Sequence, residues 1–397
     1  MNIKKQLRRF YAFGFFACLR IPDAVWVVFL AARGYSLWEI GLAEGIFHIV
    51  SLLCEIPSGM AADLIGRRRS LAAAGVCGVI SALFMALSTH FFGVCLSMVF
   101  SALSSNLISG SDEALLYDSL LEVDRQEDYL SVNAHYSRIQ NFGGVLSNAA
   151  SLLAGVLSYI GFYLVDAAVC LGRIFSALSL MEPSVTENQR KRQEHPFRNF
   201  GKRLREHIAQ AADFLRTYPR IAGVMIADGL LTLPSFLTLM FLQQRLNLLG
   251  LDAVWLGIPV MCISLARVLG VTLGQRVQIR NLKRLYMICA LLVGAGTVCA
   301  GAASIIPAVL GAMVAAASMD VWVLHLQNRL NGIFPSDRRA TLISVNMMAY
   351  SVLMVVASPV VGWLSDMGTT GGMGLCVLGA VVAAAGIILP LVNRKRR

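Results

Sequence analysis

Glu55-Ile56-Pro57-Ser58-Gly59-Met60-Ala61-Ala62-Asp63-Leu64-Ile65-Gly66-Arg67-Arg68-Arg69 joins two long apolar runs through a turn of very few residues. The physical reading is a helix end followed by a tight basic turn. Gly59 lets another helix approach closely, and Gly66 supplies the backbone freedom that the turn requires. Asp63 is an anion at the edge of the apolar run, and three consecutive arginines follow it at an interface with water.

Apolar runs dominate the chain on both sides of this turn. Of 397 residues, 57% are hydrophobic and only 14% charged, and the mean hydropathy is +0.67. A soluble globule of this composition lacks the charged side chains to coat its surface, so the apolar remainder faces lipid. The net charge of +11 does not point to nucleic acid, because the basic residues sit in the gaps between apolar runs. A spanning helix needs about 20 mostly apolar residues. Twelve such runs occur, at 10–32, 38–62, 70–89, 91–117, 131–158, 161–181, 219–244, 253–274, 284–302, 304–330, 341–365 and 370–392. The basic start before the first run resembles a secretory signal, but Arg20 and Asp23 interrupt that run and it continues past Phe29, so it reads as a first span and not a cleaved peptide.

Lys4, Lys5, Arg8 and Arg9, Arg67 to Arg69, Arg125, the 190–220 segment, Arg276, Arg280, Lys283, Arg284, Arg338, Arg339 and Arg394 to Arg397 all fall in alternate gaps. The opposite gaps hold Arg33 and Arg245. Positive loops stay inside, so both termini are expected in the cytoplasm of a cell-membrane protein. The expected organisation is a six-helix half over 1–182, a cytoplasmic linker over 183–218 and a second six-helix half over 219–397. Within the linker Phe197, Phe200, Leu204, Ile208, Ala211 and Leu215 recur at helical spacing among basic residues, as in a surface-lying amphipathic helix. Two fragments repeat between the halves: Ser131-Val132-Asn133 with Ser344-Val345-Asn346, and Gly155-x-Leu157-Ser158-x-x-Gly161 with Gly362-x-Leu364-Ser365-x-x-Gly368. The nine cysteines fall singly in apolar stretches without CxxC spacing, which predicts buried free thiols and no metal site.

The turn quoted first has the form G-x-x-x-D-x-x-G-R-R between the second and third of twelve spans. It resembles the signature loop of the major facilitator superfamily, and the preceding E-I-P-S-G is similar to its bacterial drug-exporter-like branches. Gly110-Ser111-Asp112-Glu113-Ala114-Leu115-Leu116-Tyr117-Asp118 and Pro335-Ser336-Asp337-Arg338-Arg339-Ala340-Thr341 extend the likeness. The resemblance implies two rocking halves with spans one, four, seven and ten around a central cavity. It also implies a gating latch built from Gly59, Asp63, Gly66, Arg67, Arg68 and Asp118: Asp63 capping the helix that begins near Thr341, and Arg67 pairing with Asp118 or Glu122. Leu64 stands where the family usually has a basic residue. Span five lacks the Gly-Pro pair of the antiporter signature, and span four lacks the arginine often linked to proton coupling.

Charges inside spans cost several kcal/mol in lipid and therefore face the bundle interior or a water path. Such groups are Arg20 and Asp23, spaced i, i+3; Asp112 and Glu113; Asp228; and Asp320. Arg138 lies at the depth of Asp112 and Glu113, and Arg267 at that of Asp320, which predicts buried pairs. Ser105, Ser109 and Asp112 share one face of a continuous span four, giving a polar stripe. Burial favours a neutral carboxyl and a nearby cation a charged one, so a switch between such settings moves a proton. Asp112 or Glu113 is accordingly the candidate coupling acid, with Asp23, Asp228 and Asp320 tuning a cavity for cationic or neutral amphiphilic cargo. The competing reading makes Asp112, Glu113 and Arg138 a permanent structural cluster. Asp166 and Arg173, seven apart on span six, read as packing groups, and Trp26 and Trp322 as core aromatics or stacking surfaces for a cation.

No phosphate loop, HExxH or nucleophile–base set occurs, which predicts no enzyme, no cofactor and no direct use of ATP. The expected protein is an all-α, twelve-helix secondary transporter, a monomer whose partners are a small organic substrate, protons and the bilayer. Proton-coupled export leads, with nutrient uptake or a non-transporting sensor or scaffold as alternatives.

Overall fold

The computed structural model describes residues 2–184, 219–276, 281–302, 304–333 and 336–392, with isolated positions between 202 and 217. The described residues form helices α1 (Ile3–Cys18), α2 (Trp26–Ala32), α3 (Leu37–Ile65), α4 (Arg67–Leu87), α5 (Phe91–Ile108), α6 (Ser111–Leu121), α7 (Tyr129–Ala149) and α8 (Tyr159–Ser179). Further along the chain come α9 (Pro219–Leu248), α10 (Gly257–Arg276), α11 (Leu282–Ala300), α12 (Ile305–Ile333), α13 (Ser336–Asp366) and α14 (Met373–Val392). Among the described residues nine helical stretches are long and apolar enough to cross a membrane, and Met373–Ile388 is a shorter one. The chain is an all-helical, multi-pass membrane protein. The amphipathic segment expected over 197–215 lies almost wholly outside the described residues.

The first and fifth expected spans are missing from those nine for physical reasons. The first is broken between Cys18 and Trp26, and the fifth carries His135, Arg138, Gln140 and Asn141 and passes beyond Ala149 only as a 3-10 turn, Ala150–Gly155. The fourth is also interrupted. Gly110, at φ +73°, is left-handed and separates α5 from α6, a conformation that costs a residue with Cβ about 1–2 kcal/mol. The polar stripe predicted for an unbroken span four is therefore corrected: Ser105 and Ser109 precede the break, Asp112 follows it, and the helical register does not carry across.

Two compact units emerge, one comprising residues 1–23 with 46–213, the other 24–45 with 214–397. In the first, α4 packs on α5 and α8, and α1 packs on α7 and α8. Its core gathers Phe10, Phe13, Leu71, Leu115, Leu116 and Tyr136. In the second, α11 packs on α12 and α14 and α10 on α12. Backbones there approach so closely that a Cβ on Gly294 would sit 2.6 Å from the Gly379 carbonyl oxygen.

The arm formed by residues 24–45 is docked within the second unit by backbone contact. A Cβ on Gly41 would lie 2.3 Å from the Ser358 carbonyl oxygen, and one on Gly362 2.2 Å from that of Leu37. Ser358 Oγ donates to the Gly41 carbonyl at 2.8 Å. Asp366, at the end of α13, accepts from the Leu37 and Trp38 amides at 2.9 and 2.8 Å. Those amides open α3 and have no intrahelical partner, and the carboxylate also opposes the positive end of the helix dipole. Arg245, assigned from sequence to a loop, instead lies in the last turn of α9 and is fully buried. Its guanidinium donates to the Thr370 carbonyl at 2.8 Å and to that of Ala302.

Candidate functional site

The basic turn is a built junction in the first unit. Arg67 pairs with Asp118 at the end of α6, and both side chains are largely buried. Glu122, the other expected partner of Arg67, accepts from the Ser184 amide at 2.7 Å. Arg68 donates to the Leu178 carbonyl. Three arginines in the first turn of α4 oppose its dipole. Glu182 supplies the missing negative charge, accepting from the Arg67 and Arg68 amides at 2.8 and 2.9 Å. Sequence reasoning missed Glu182, although an acid directly after span six is the one visible hint. Gly59 has open space where a Cβ would project. The Asp63 side chain and those opening α13 lie outside the described residues, so the capping expected between them does too; α13 starts at Ser336 and not near Thr341.

Gly66 has φ +98° and ψ 143°, a region essentially closed to residues with Cβ, and a Cβ there would press on the Glu182 carboxylate at 3.3 Å. Gly66→Ala is expected to destabilise the protein by about 1–3 kcal/mol, read as a lower Tm in detergent. An unchanged Tm would mean that the turn relaxes freely.

Asp112 sits in the first turn of α6, 7% exposed. It accepts from the Tyr136 hydroxyl at 2.9 Å and from the Glu113 amide at 2.8 Å. Phe10 holds the Tyr136 ring, centroids 4.6 Å apart. The predicted pairing with Arg138 is corrected: Arg138 lies two residues beyond Tyr136, about 200° further round the helix, and both Arg138 and Glu113 are exposed. The partner of Asp112 is a neutral hydroxyl.

Between α1 and α2 the backbone of Leu19–Val25 leaves the helix. Pro22 lacks an amide and disfavours helix at Ile21, yet Pro57, Pro234 and Pro359 sit inside continuous helices. The difference is the set of side chains that take up the released backbone groups. Arg173 donates to the Phe16 and Ala17 carbonyls at 3.3 and 3.1 Å. Ser147 Oγ accepts from the Arg20 amide at 2.8 Å, and Asp166 accepts from the Ile21 amide at 3.0 Å. Asp166 and Arg173 thus seal the two sides of the interruption, a more definite role than packing. Arg20 and Asp23 form a loose i, i+3 pair at 3.8 Å with side chains 58% and 51% exposed.

In the second unit Asp228, 6% exposed, joins three helices. Trp322 Nε1 of α12 donates to Oδ1 at 2.9 Å, and Asn346 Nδ2 of α13 donates to Oδ2 at 3.0 Å. Trp322 packs edge-on to Tyr286 at 5.2 Å and is a buried structural donor. Asn346 was visible only as part of a repeated tripeptide. Arg267 and Asp320 pair in two-point fashion at 3.0 and 3.3 Å, with Arg267 about half exposed. Glu44 is buried in α3, and the criterion of charges inside spans, applied to span two, would have found it.

The acids therefore divide by partner. Asp118 and Asp320 face arginines, whereas Asp112 and Asp228 are held by neutral donors. Among the described residues no group of His, Cys, Asp or Glu is arranged to hold a metal ion, and the nine cysteines are free thiols, of which Cys170 and Cys289 are buried, Cys299 is exposed and the rest are half-buried rather than buried as expected.

Residues 10–352 match the family model of the Major Facilitator Superfamily. The chain is 24% identical over 377 residues to the uncharacterized MFS-type transporter YxaM of Bacillus subtilis (strain 168), covering 94% of this chain and 90% of that protein. Its fold is similar to that of the nucleoside transporter NupG, with TM-score 0.74, 15% identity and coverage of 100% and 99% of the two chains. It is also similar to a D-xylose-proton symporter, with TM-score 0.66, 14% identity and coverage of 98% and 95%. A mutant of the peptide transporter POT gives TM-score 0.66, 11% identity and coverage of 99% and 94%.

Proposed function

The chain belongs to the Major Facilitator Superfamily, and from that premise we propose that it is a proton-coupled secondary transporter of a small polar organic molecule, acting as a monomer in the cell membrane with both termini in the cytoplasm. One observation carries the reading: the Asp228 carboxylate, buried in the seventh span, is held from two other helices by Trp322 and Asn346, both neutral. An ionised carboxylate without a cation is costly in the membrane interior, and a proton removes that cost. Protonation also changes the joint. A carboxylate accepts charge-assisted hydrogen bonds at both oxygens; a neutral carboxyl is a weaker acceptor. Gaining a proton therefore removes the charge assistance from the α9–α12 and α9–α13 ties and weakens them, and losing it restores both. This links proton binding to helix movement, as alternating access requires. Asp112, also on neutral donors, is the second proton carrier.

Transporters named for nucleosides, xylose and peptides share the fold, which favours a polar cargo and uptake. The two buried acids held by neutral donors, Asp112 and Asp228, with Glu113 exposed, favour a second reading, export of a cationic or amphiphilic compound. Flux in right-side-out and everted vesicles with a compound panel and an imposed pH gradient tests both. A solute should accumulate in one orientation, and a protonophore should abolish accumulation. Accumulation that ignores the gradient would overturn proton coupling. Absence of any flux across a broad panel would favour a sensor.

A further inference from the structure

The ends of the neighbouring helices fix where α7 runs. Glu182, just beyond α8, accepts from the Arg67 and Arg68 amides at the start of α4, and Asp118 at the end of α6 pairs with Arg67. At the far end of α4, the hydroxyl of Tyr159, the first residue of α8, donates to the Met85 carbonyl at 2.9 Å. The chain therefore leaves α6 on the side of the bilayer where α8 ends, and it must reach the opposite side before α8 begins. The 21-residue α7 is the helix that makes this crossing, and at about 30 Å it is long enough.

It crosses in spite of its polarity. Tyr136, Gly143 and Ser147 are its buried face. Ser137, Asn141, Gly144 and Asn148 follow one another at i, i+4, i+7 and i+11, a polar stripe about 16 Å long. Ser137 and Asn141 are exposed, Asn148 is half-buried, and a Cβ on Gly144 would meet open space. Phe142 and Leu146 form a separate, exposed apolar stripe suited to lipid. The polar stripe therefore borders water or a solute. Arg138 stands one turn from Asn141 and is exposed. Tyr136 is level with Asp112 through their hydrogen bond, and Asp112 is about 9 Å along α6 from Asp118, so Arg138 lies well inside the crossing. Among the described residues it has no acid or hydrogen-bond partner; Glu113, exposed on α6, forms no ion pair with it. By contrast, Arg67 and Arg267 face acids, and Arg173 and Arg245 face backbone carbonyls. A guanidinium alone at that depth carries a cost that a bound anion removes.

Resting on the transporter reading above, we infer that Arg138 binds the carboxylate of a hydroxylated organic acid, the class of the sugar acids, with Ser137, Asn141 and Asn148 taking its hydroxyl groups. The planar fork of an arginine meets a carboxylate at two points. One arginine balances the single charge of a carboxylate, whereas a phosphate monoester, with about 1.5–2 charges at pH 7, leaves a remainder. Amide and hydroxyl side chains donate and accept, as sugar hydroxyls do, and Gly144 leaves room between the two asparagines. A sugar without the acid leaves Arg138 uncompensated, and an acid without hydroxyls leaves the stripe unpaired, which is what makes the site selective.

Purified full-length protein is titrated with glucuronate and gluconate, with glucose and hexanoate, which lack the acid or the hydroxyls, and with glucose 6-phosphate; thermal shift and calorimetry give the affinities. At least one sugar acid should bind at least about tenfold more tightly than each of the other three. Arg138→Gln should bring that acid down to the level of glucose. Arg138→Glu should invert the preference, binding glucosamine more tightly than glucuronate, a gain that misfolding cannot produce. Glucose, hexanoate or glucose 6-phosphate binding as tightly as the sugar acids overturns the assignment. So does a sugar acid held by Arg138→Gln as tightly as by the unaltered protein, or an unchanged preference in Arg138→Glu. Silence of both sugar acids while the vesicles accumulate another solute overturns it and leaves the transporter reading standing. If nothing accumulates, that reading falls as well.

Discussion

Asp228→Asn is expected to abolish accumulation against a gradient while leaving exchange of solute across the membrane. A difference of about two pH units supplies about 2.7 kcal/mol per proton, enough for about hundredfold accumulation at one proton per solute. Without the titrating group the solute only equilibrates, so the accumulation ratio falls to about one. The amide is the right probe because it keeps the joint nearly intact. Its oxygen still accepts from Trp322, and Asn346 can present its own carbonyl oxygen to the new NH2 group by turning its amide over. Loss of uphill transport with retained counterflow therefore reports on the proton and not on folding. Uphill transport at the level of the unaltered protein would end the assignment of Asp228.

The second large effect concerns the arm over residues 24–45. Leucine at position 41 would drive a side chain into the backbone at Ser358 and Pro359, where even a Cβ finds 2.3 Å. Backbone cannot yield as a flexible side chain does, and a clash of this kind costs about 1–3 kcal/mol or more. Gly41→Leu should therefore undock the start of α3 from α13 and free the Leu37 and Trp38 amides from Asp366. Hydrogen exchange over residues 36–42 should quicken by at least about tenfold, the effect of about 1.4 kcal/mol of lost protection, and the Tm should drop. Asp366→Ala, which removes the cap but not the backbone fit, should give the same change in exchange with a smaller loss of stability, about 0.5–2 kcal/mol. Exchange that stays slow in Gly41→Leu would show that the arm is held elsewhere.

Most of the helices were legible because twenty apolar residues between charged gaps have one physical solution in lipid. The charges inside the spans were legible for the same reason, and the pairing of Arg267 with Asp320 follows from opposite signs at one depth, whereas that of Arg67 with Asp118 is what the family resemblance implies. What the sequence hides is backbone. Nothing in an apolar run distinguishes the left-handed turn at Gly110 from any other membrane glycine, so the register of span four was misread. Asp166 and Arg173 stood out as charges on one face, but their partners are the amide of Ile21 and the carbonyls of Phe16 and Ala17, which have no side-chain signature. Tyr136 escaped because the nearby arginine offered a more obvious partner for Asp112, and depth alone does not fix which way a helix faces.

The interruption between α1 and α2 bears on how the protein is made. The segment around this interruption carries Arg20 and Asp23 in its middle, and each adds about 2.5–3.5 kcal/mol to the cost of partitioning a nascent helix into the bilayer. Its stabilising groups, Ser147, Asp166 and Arg173, are synthesised more than a hundred residues later. Stable integration of this segment must therefore await α7 and α8. Until those helices arrive, the nascent chain depends on the insertion machinery to shelter it.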